Sequence, residues 1–184
     1  KVIPARLRAR KATGGGIDIL LVEKISDNRW FCLTNGIKGN AEELKITIGS
    51  IGATLSKGLD YWIIDFDHNL DMIDIMGEFG KMPLPPYVKR KDNDGAIDFD
   101  RYQTVYAEMP GSIAAPTAGF HFTDELLSTI RQIGVSVVKI TLHIGVGTFF
   151  LIKTEDVQEH QMHREYYHVT PDAKAFIKKA KEDG

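Results

Sequence analysis

Short apolar runs punctuated by glycine dominate the first half of the chain: Ile17 to Val22, Trp30 to Thr34, Leu44 to Ile48, Tyr61 to Phe66 and Met72 to Ile75. Runs of this length between turn residues predict short strands, and their number predicts a small all-β barrel over residues 4–80. In Ile17 to Val22 both alternating sets are largely apolar, Asp18 excepted, which predicts a strand covered on both faces. Gly14-Gly15-Gly16 precedes that strand. With no Walker lysine and no helix behind it, the triplet reads as a tight turn or a point of close backbone approach, not a phosphate loop.

The pattern changes at Lys81-Met-Pro-Leu-Pro-Pro-Tyr87, whose prolines impose an extended path and mark a boundary between residues 4–80 and 81–184. Lys89 to Asp100 is almost wholly polar and reads as an exposed loop. Thr123 then caps a helix with acids in its first turn, Leu126, Leu127, Ile130 and Ile133 on one face, and Gly134 as the stop. Val135 to His143 is β-branched and long enough for a central strand, and it runs into the loop Gly145-Val-Gly147. A last helix has Thr170 as cap and Pro171 at its first position, with Ala173, Phe176, Ile177 and Ala180 expected inward. The second half is therefore read as α/β.

Composition narrows this picture only slightly. At 184 residues, 43% hydrophobic and 26% charged, the chain is ordinary globular protein, and it has no apolar run long enough to span a membrane. A cytoplasmic protein without a membrane partner is expected. The single cysteine, Cys32, lies in an apolar run and is expected to be a buried structural thiol. With a formal net charge of -2, binding to nucleic acid would have to come from local clusters. Arg6, Arg8 and Arg10, at period two, would line one face of a strand, and Lys89-Arg90-Lys91 is a second basic knot. The chain opens without Met and closes where a helical pattern meets Gly184, and it is read as the middle of a longer polypeptide.

Three segments carry candidate chemistry. Ala114-Ala-Pro-Thr-Ala-Gly-Phe-His-Phe122 stands just before the capped helix, a candidate seat for an anion or carboxylate at the positive end of the helix dipole. The alternative is a tight loop whose His121 bonds only the backbone. Thr141-Leu-His143-Ile-Gly-Val-Gly-Thr-Phe149 would place His143 and Thr148 at the rim of a pocket beyond a strand end. His160 and His163 with Glu165 offer metal-binding groups, but a catalytic zinc calls for a further ligand with matched geometry, and no metal is expected.

Taken in order, Val2-Ile-Pro-Ala-Arg-Leu7, Thr13-Gly-Gly15, Gly80-Lys-Met-Pro-Leu-Pro-Pro-Tyr87, Tyr102-Gln-Thr-Val-Tyr-Ala107, Ala114-Ala-Pro-Thr-Ala-Gly119, Phe120-His-Phe-Thr123, Thr141-Leu-His143, Gly145-Val-Gly-Thr-Phe149 and His160-Gln-Met-His-Arg-Glu165 resemble the S-adenosylmethionine:tRNA ribosyltransferase-isomerases of queuosine biosynthesis. Phe120 stands where that family usually has Leu, and Ile144 where it usually has Val. The resemblance implies an α/β domain with a mixed half-barrel sheet, and a small antiparallel β-barrel domain inserted into it. It implies a fragment lacking both ends of the family's chain, and such a fragment is expected to be inactive alone.

The resemblance also implies a reaction. S-adenosylmethionine, as co-substrate, donates its ribosyl carbons to 7-aminomethyl-7-deazaguanine at the wobble position of tRNA. The product is epoxyqueuosine, and adenine and methionine leave. Such chemistry needs a base at C5′, an acid for the departing adenine and a hold on the methionine carboxylate. His121 and His143 are assigned to proton transfer because imidazole titrates near working pH. Thr117, Gly119, Gly145, Gly147 and Thr148 are assigned to the co-substrate, and Arg6, Arg8, Lys89, Arg90 and Tyr102 to tRNA. A monomer is expected. The alternative reading is a non-catalytic RNA-binding β-barrel module, and a conventional methyltransferase fits poorly for want of an opening strand, glycine loop and helix.

Overall fold

The computed structural model describes residues 1–67, 71–89, 95–149, 155–159 and 163–183. The chain divides into two compact units: Ile3–Phe99, and Lys1–Val2 together with Asp100–Gly184.

The first unit is built on six strands: β1 (Arg6–Lys11), β2 (Gly16–Ser26), β3 (Arg29–Asn35), β4 (Glu43–Ile48), β5 (Ile51–Lys57) and β6 (Trp62–Phe66). They form a closed antiparallel barrel in the order β1-β2-β3-β6-β5-β4. Closure is made where Arg10 and Lys11 of β1 pair with Thr47 and Ile46 of β4. One row of each strand points inward, so the interior is filled by Leu7, Ile17, Ile19, Leu21, Cys32, Ile48, Leu55 and Ile64, all fully buried. Burial pushes the Cys32 thiol up to about 12, consistent with a structural role.

Turn chemistry explains the connections. Between β1 and β2, Gly14 at φ +89 donates to Lys11 O at 2.8 Å, while Lys11 N donates to Gly15 O at 2.8 Å. The two-residue turn between β4 and β5 has Gly49 at φ +57 in its first central position, where the hairpin favours glycine. A Cβ there would also fall 2.2 Å from Phe79. Two register shifts in the β2–β3 ladder, between Leu21 and Glu23 and between Lys24 and Ser26, supply bulges of the kind that bend a sheet toward closure.

The first unit departs from its sequence pattern at several places. Met72–Ile75 is no strand. It opens helix α1 (Met72–Phe79), capped by Asp71, whose carboxylate accepts from Ile73 N at 2.9 Å, and its buried positions 72, 75 and 76 follow helical spacing. The strand Ile51–Lys57, interrupted by Gly52 and polar positions, was not among the predicted runs. Strand β2 is buried on one face only, through Ile17, Ile19 and Leu21, because Leu20 and Val22 face outward and stay half-exposed. Gly95–Arg101 forms a short helix, α2, with Asp98 buried, where an exposed loop was expected.

In the second unit, helix α3 (Asp124–Gln132) is capped by Thr123, which accepts from Leu126 N at 3.1 Å, and Gly134 at φ +88 follows its end. Its apolar row is left uncovered: none of its residues is buried, and Ile133, just beyond its end, is 72% exposed. The predicted central strand shrinks to β7 (Thr141–His143), paired antiparallel with β8 (Tyr166–His168). A strand needs a partner for its backbone groups, and β8 provides only three residues. Helix α4 (Pro171–Glu182) starts as expected, but only Ala173 of its apolar row is buried. Val2 is held by a two-point clamp, its N–H donating to Gln103 Oε1 at 2.8 Å and its carbonyl accepting from Gln103 Nε2 at 2.9 Å.

Leu55→Ala removes a fully buried side chain from the barrel interior. Chemical denaturation is expected to show a loss of about 2–5 kcal/mol for the barrel transition, and a loss under about 1 kcal/mol would contradict this packing.

Candidate functional site

The two candidate loops are joined at their bases. Ser112 Oγ accepts from Ile144 N at 3.2 Å and lies 3.5 Å from Leu142 O, while Ile113 N donates to Ile144 O at 2.8 Å. The segment before Pro116 therefore lies alongside the end of β7, with Ile113, Ala114 and Ala115 buried.

Beyond Pro116 the first loop winds into a 3₁₀ turn, Thr117–His121. Gly119 is buried there, and a Cβ on it would meet the Tyr106 hydroxyl at 2.2 Å and Thr104 at 2.8 Å. Packing therefore demands glycine at this position. Its N–H donates to Pro116 O at 2.7 Å. Phe120 and Phe122 pack against Tyr102 and Tyr106, with ring centroids 6.0 and 6.2 Å apart, and His121 between them is exposed. Its Nδ1 lies 3.0 Å from Ala118 O, the backbone contact of the plainer reading. At the start of α3 the Glu125 carboxyl is held below its usual range by its own backbone N–H first and then by the Thr123 hydroxyl. The helix start thus already faces a carboxylate of its own chain.

In the second loop the His143 ring stacks on Tyr166, with centroids 5.3 Å apart and planes at 24°. Gly111, at φ +144, lets the backbone pass close to that ring: a Cβ would lie 2.7 Å from His143 Cε1. His143 Nδ1 is buried without a hydrogen-bond partner among the described residues. Desolvation lowers the His143 pKa below 6.5. Gly145 N donates to Glu165 Oε1 at 3.1 Å, and Thr148 Oγ1 donates to Gly145 O at 3.4 Å. Gly147 lies against His163: a Cβ on it would fall 2.9 Å from the His163 Cβ and 3.0 Å from Cδ2 of the ring.

A cavity of about 790 Å³ opens beside these loops, lined by Thr104, Tyr106, Ala115, Phe122, Leu142 and Ile144 among others. The assigned residues Thr117, Gly119, His121, His143, Gly145, Gly147 and Thr148 are not among the residues that line this cavity, whereas Pro116, Phe122, Leu142 and Ile144 of the same loops are. Thr117 and Thr148 are exposed. Sequence reasoning did not single out Ser112, Gly111 or Tyr166, and it considered Glu165 only as a metal ligand. Only the Pro110-Gly111 pair carried a signal, that of a turn.

Of the residues assigned to tRNA, Arg6 and Arg8 lie on the outer face of β1 and Lys89 is exposed. Tyr102 is 7% exposed, its ring against Phe120. Arg90 and His160 lie outside the described residues. Among those residues no three His, Cys, Asp or Glu side chains are grouped to hold a metal ion, and no helix is long and apolar enough to cross a membrane.

The model of a family described as "Queuosine biosynthesis protein" matches residues 1–184. The chain is 40% identical over 189 residues to the S-adenosylmethionine:tRNA ribosyltransferase-isomerase of Geotalea uraniireducens, covering 100% of this chain and 54% of that protein. It is 44% identical over 191 residues to the protein of the same name from Desulforamulus reducens, with the same coverage. The chain thus spans about half the length of these curated relatives. Among solved structures it is similar to S-adenosylmethionine tRNA ribosyltransferase from Thermotoga maritima, at 26% identity and a TM-score of 0.34, covering 100% of this chain and 46% of that one. A superposition at that score transfers no geometry.

Because the folded pKa of His143 is depressed, the unfolded chain takes up its proton first as pH falls. The stability of this unit is expected to decline as pH drops through 6.5 toward the folded pKa, and an imidazole NMR titration should place His143 below that value. Gly111→Ala, which drives a methyl group into the ring, should change that titration and lower Tm. An unchanged His143 titration in this variant would contradict the packing.

Proposed function

The chain belongs to the queuosine biosynthesis protein family, and from that premise we propose that it is part of a cytoplasmic enzyme that transfers and isomerises the ribosyl moiety of S-adenosylmethionine onto 7-aminomethyl-7-deazaguanine in tRNA. The product is epoxyqueuosine in tRNA, with adenine and methionine released. The observation that carries this reading is the match along the whole chain to relatives of that name at about 40% identity. In this reading residues 4–80 are the small barrel domain, and residues 81–184 belong to an α/β catalytic domain with a half-barrel sheet.

The chemistry follows from what the co-substrate presents. The sulfonium acidifies C5′–H, so a base there generates a carbanion, and the bond to adenine breaks with a proton delivered to the departing base. His143 suits the first role: with its pKa held down, it is neutral and able to accept a proton at pH 7. His121, exposed on the first loop, suits protonation of adenine. The amides of Gly119 and Gly145 are bonded within the chain, so these glycines and Gly147 act by setting loop shape. The exposed hydroxyl of Thr117 is left to meet the methionine carboxylate, and that of Thr148 joins it by turning away from Gly145 O. Arg6, Arg8, Lys89 and Arg90 contact tRNA phosphates, and base stacking by Tyr102 requires its ring to part from Phe120.

The full-length protein, given S-adenosylmethionine and tRNA bearing the 7-aminomethyl base, is expected to release adenine only when that tRNA is present. His121→Ala and His143→Ala should each lower kcat by roughly 10²-fold or more. Formation of S-adenosylhomocysteine would indicate methyl transfer instead. Tight tRNA binding without adenine release would favour the RNA-binding module, and unchanged kcat in both histidine variants would remove their assigned roles.

A further inference from the structure

The outer wall of the barrel carries a second feature, apart from the loops described above. A groove of about 820 Å³ runs past the β1–β2 and β4–β5 turns, lined by Arg8, Arg10, Gly14, Gly16, Thr47 and Gly49 among others. Among the described residues no acidic and no aromatic side chain lines it. We propose that this groove binds a stretch of RNA phosphodiester backbone, gripped by Arg8 and Arg10 and read without regard to base identity. The proposal rests on the reading that tRNA is the substrate, and it names the surface that holds the tRNA's charge.

The arginines are the first argument. Several other cations of the barrel are engaged: Lys24 with Asp27 at 2.8 Å, Arg29 with Asp65 at 3.2 Å, Lys57 with Glu42 at 3.6 Å, Lys11 with Gly36 O at 2.7 Å and Lys45 with Thr54 Oγ1 at 2.9 Å. Arg8 and Arg10 have no ion pair or hydrogen bond from their side chains among the described residues, even though Asp18 is directly opposite Arg8 in the ladder. Strand geometry places them on one face roughly 6.6–6.8 Å apart along β1. Asp18 stands across from Arg8 alone, while Gly16 and Thr47 stand across from Arg10, so the positive charge of the pair is only partly offset and the two guanidinium groups repel each other. An anionic ligand relieves that repulsion, and the guanidinium fork matches phosphate oxygens two at a time.

The glycines are the second argument. The two residues directly across the ladders from Arg10, Gly16 on β2 and Thr47 on β4, are both small. Gly14 is explained by its positive φ, and Gly49 by its φ and by Phe79. Gly16 is explained by neither: its φ is not positive, and a Cβ would meet nothing within 4 Å. In a strand such a glycine weakens the local structure, and one use for it is to let another backbone come close. The lack of any aromatic ring in the groove removes the stacking surface that base recognition in single strands employs. What remains is positive charge and open backbone, which suits phosphates.

The test measures binding of an unmodified tRNA transcript to the full-length protein across a range of salt concentrations. For Arg8→Gln/Arg10→Gln, the slope of log K against log salt should fall in magnitude by about 1.4–1.8, the effect of two lost phosphate contacts. Gly16→Leu should weaken binding several-fold with no loss of Tm, because nothing in the fold occupies that space. Lys24→Gln, which removes one positive charge elsewhere on the same barrel, should leave the slope unchanged. An unchanged slope in the arginine variant, or an equal fall in the lysine variant, overturns the groove. If the wild-type protein still releases adenine in that case, the proposed activity stands without the groove. If the wild-type protein binds no tRNA, both fail together.

Discussion

Closure of the sheet between β1 and β4 is the constraint on which the first unit depends. Once Arg10 and Lys11 pair with Thr47 and Ile46, no strand has a free choice of face. A slip of one residue in β1 would carry Leu7 and Ala9 out to solvent and drive the arginines into an interior already filled by Ile19, Leu55 and Ile64. The interior thereby fixes the exterior. Arg6, Arg8 and Arg10 stand in a row on the outside because their neighbours in sequence are needed inside, and the closed ladder holds that row rigid. The glycine turns and the bulges in β2 are the local devices that let so short a sheet curve back on itself.

The second unit is organised differently. Its regular ladder is three residue pairs long, and its order comes from individual hydrogen bonds: the Val2–Gln103 clamp, the Ser112 hydroxyl against the backbone of residues 142 and 144, and Glu165 on the Gly145 amide. Within it, glycine marks contact as often as freedom. Gly111, Gly119 and Gly147 each sit where a methyl group would strike a ring or a hydroxyl. The side chains given chemical roles occupy the margins of these contacts. His143 is half-buried, with a desolvated ring nitrogen and a depressed pKa, whereas His121, Thr117 and Thr148 face solvent. That contrast divides the proposed labour between a base kept neutral and groups free to meet a ligand.

Much of the barrel was legible in the sequence because short apolar runs such as Trp30 to Thr34 and Tyr61 to Phe66 lie between turn residues, whereas the inward row of each emerges only in the fold. Met72 to Ile75 was misread because four apolar-rich residues cannot separate strand from helix. The deciding signal was the Asp71 cap just before them. The Ile51–Lys57 strand was missed because Gly52 and the polar positions beside it dilute its pattern. Caps were readable at Thr123 and Thr170, since a side-chain oxygen three residues ahead of an orphan N–H is a local fact. Burial of α3, α4 and Val135 to Ile140 was not readable, because an apolar row states what a helix or strand needs to cover but not whether this stretch of chain covers it. At the candidate site the glycine-histidine loops could be found in the sequence. Their junction through Ser112, and the stack of His143 on Tyr166, depend on residues brought together only by folding.

The central claim is that S-adenosylmethionine gives up ribosyl carbons and keeps its methyl group on sulfur until methionine leaves. It is tested most directly by supplying the full-length protein with S-adenosylmethionine carrying one label in the ribosyl carbons and a different label in the methyl group, together with tRNA bearing the 7-aminomethyl base. The account predicts that the ribosyl label enters the tRNA while the methyl label is recovered in free methionine. Methyl label in the tRNA, with the ribosyl label left in S-adenosylhomocysteine, would contradict it.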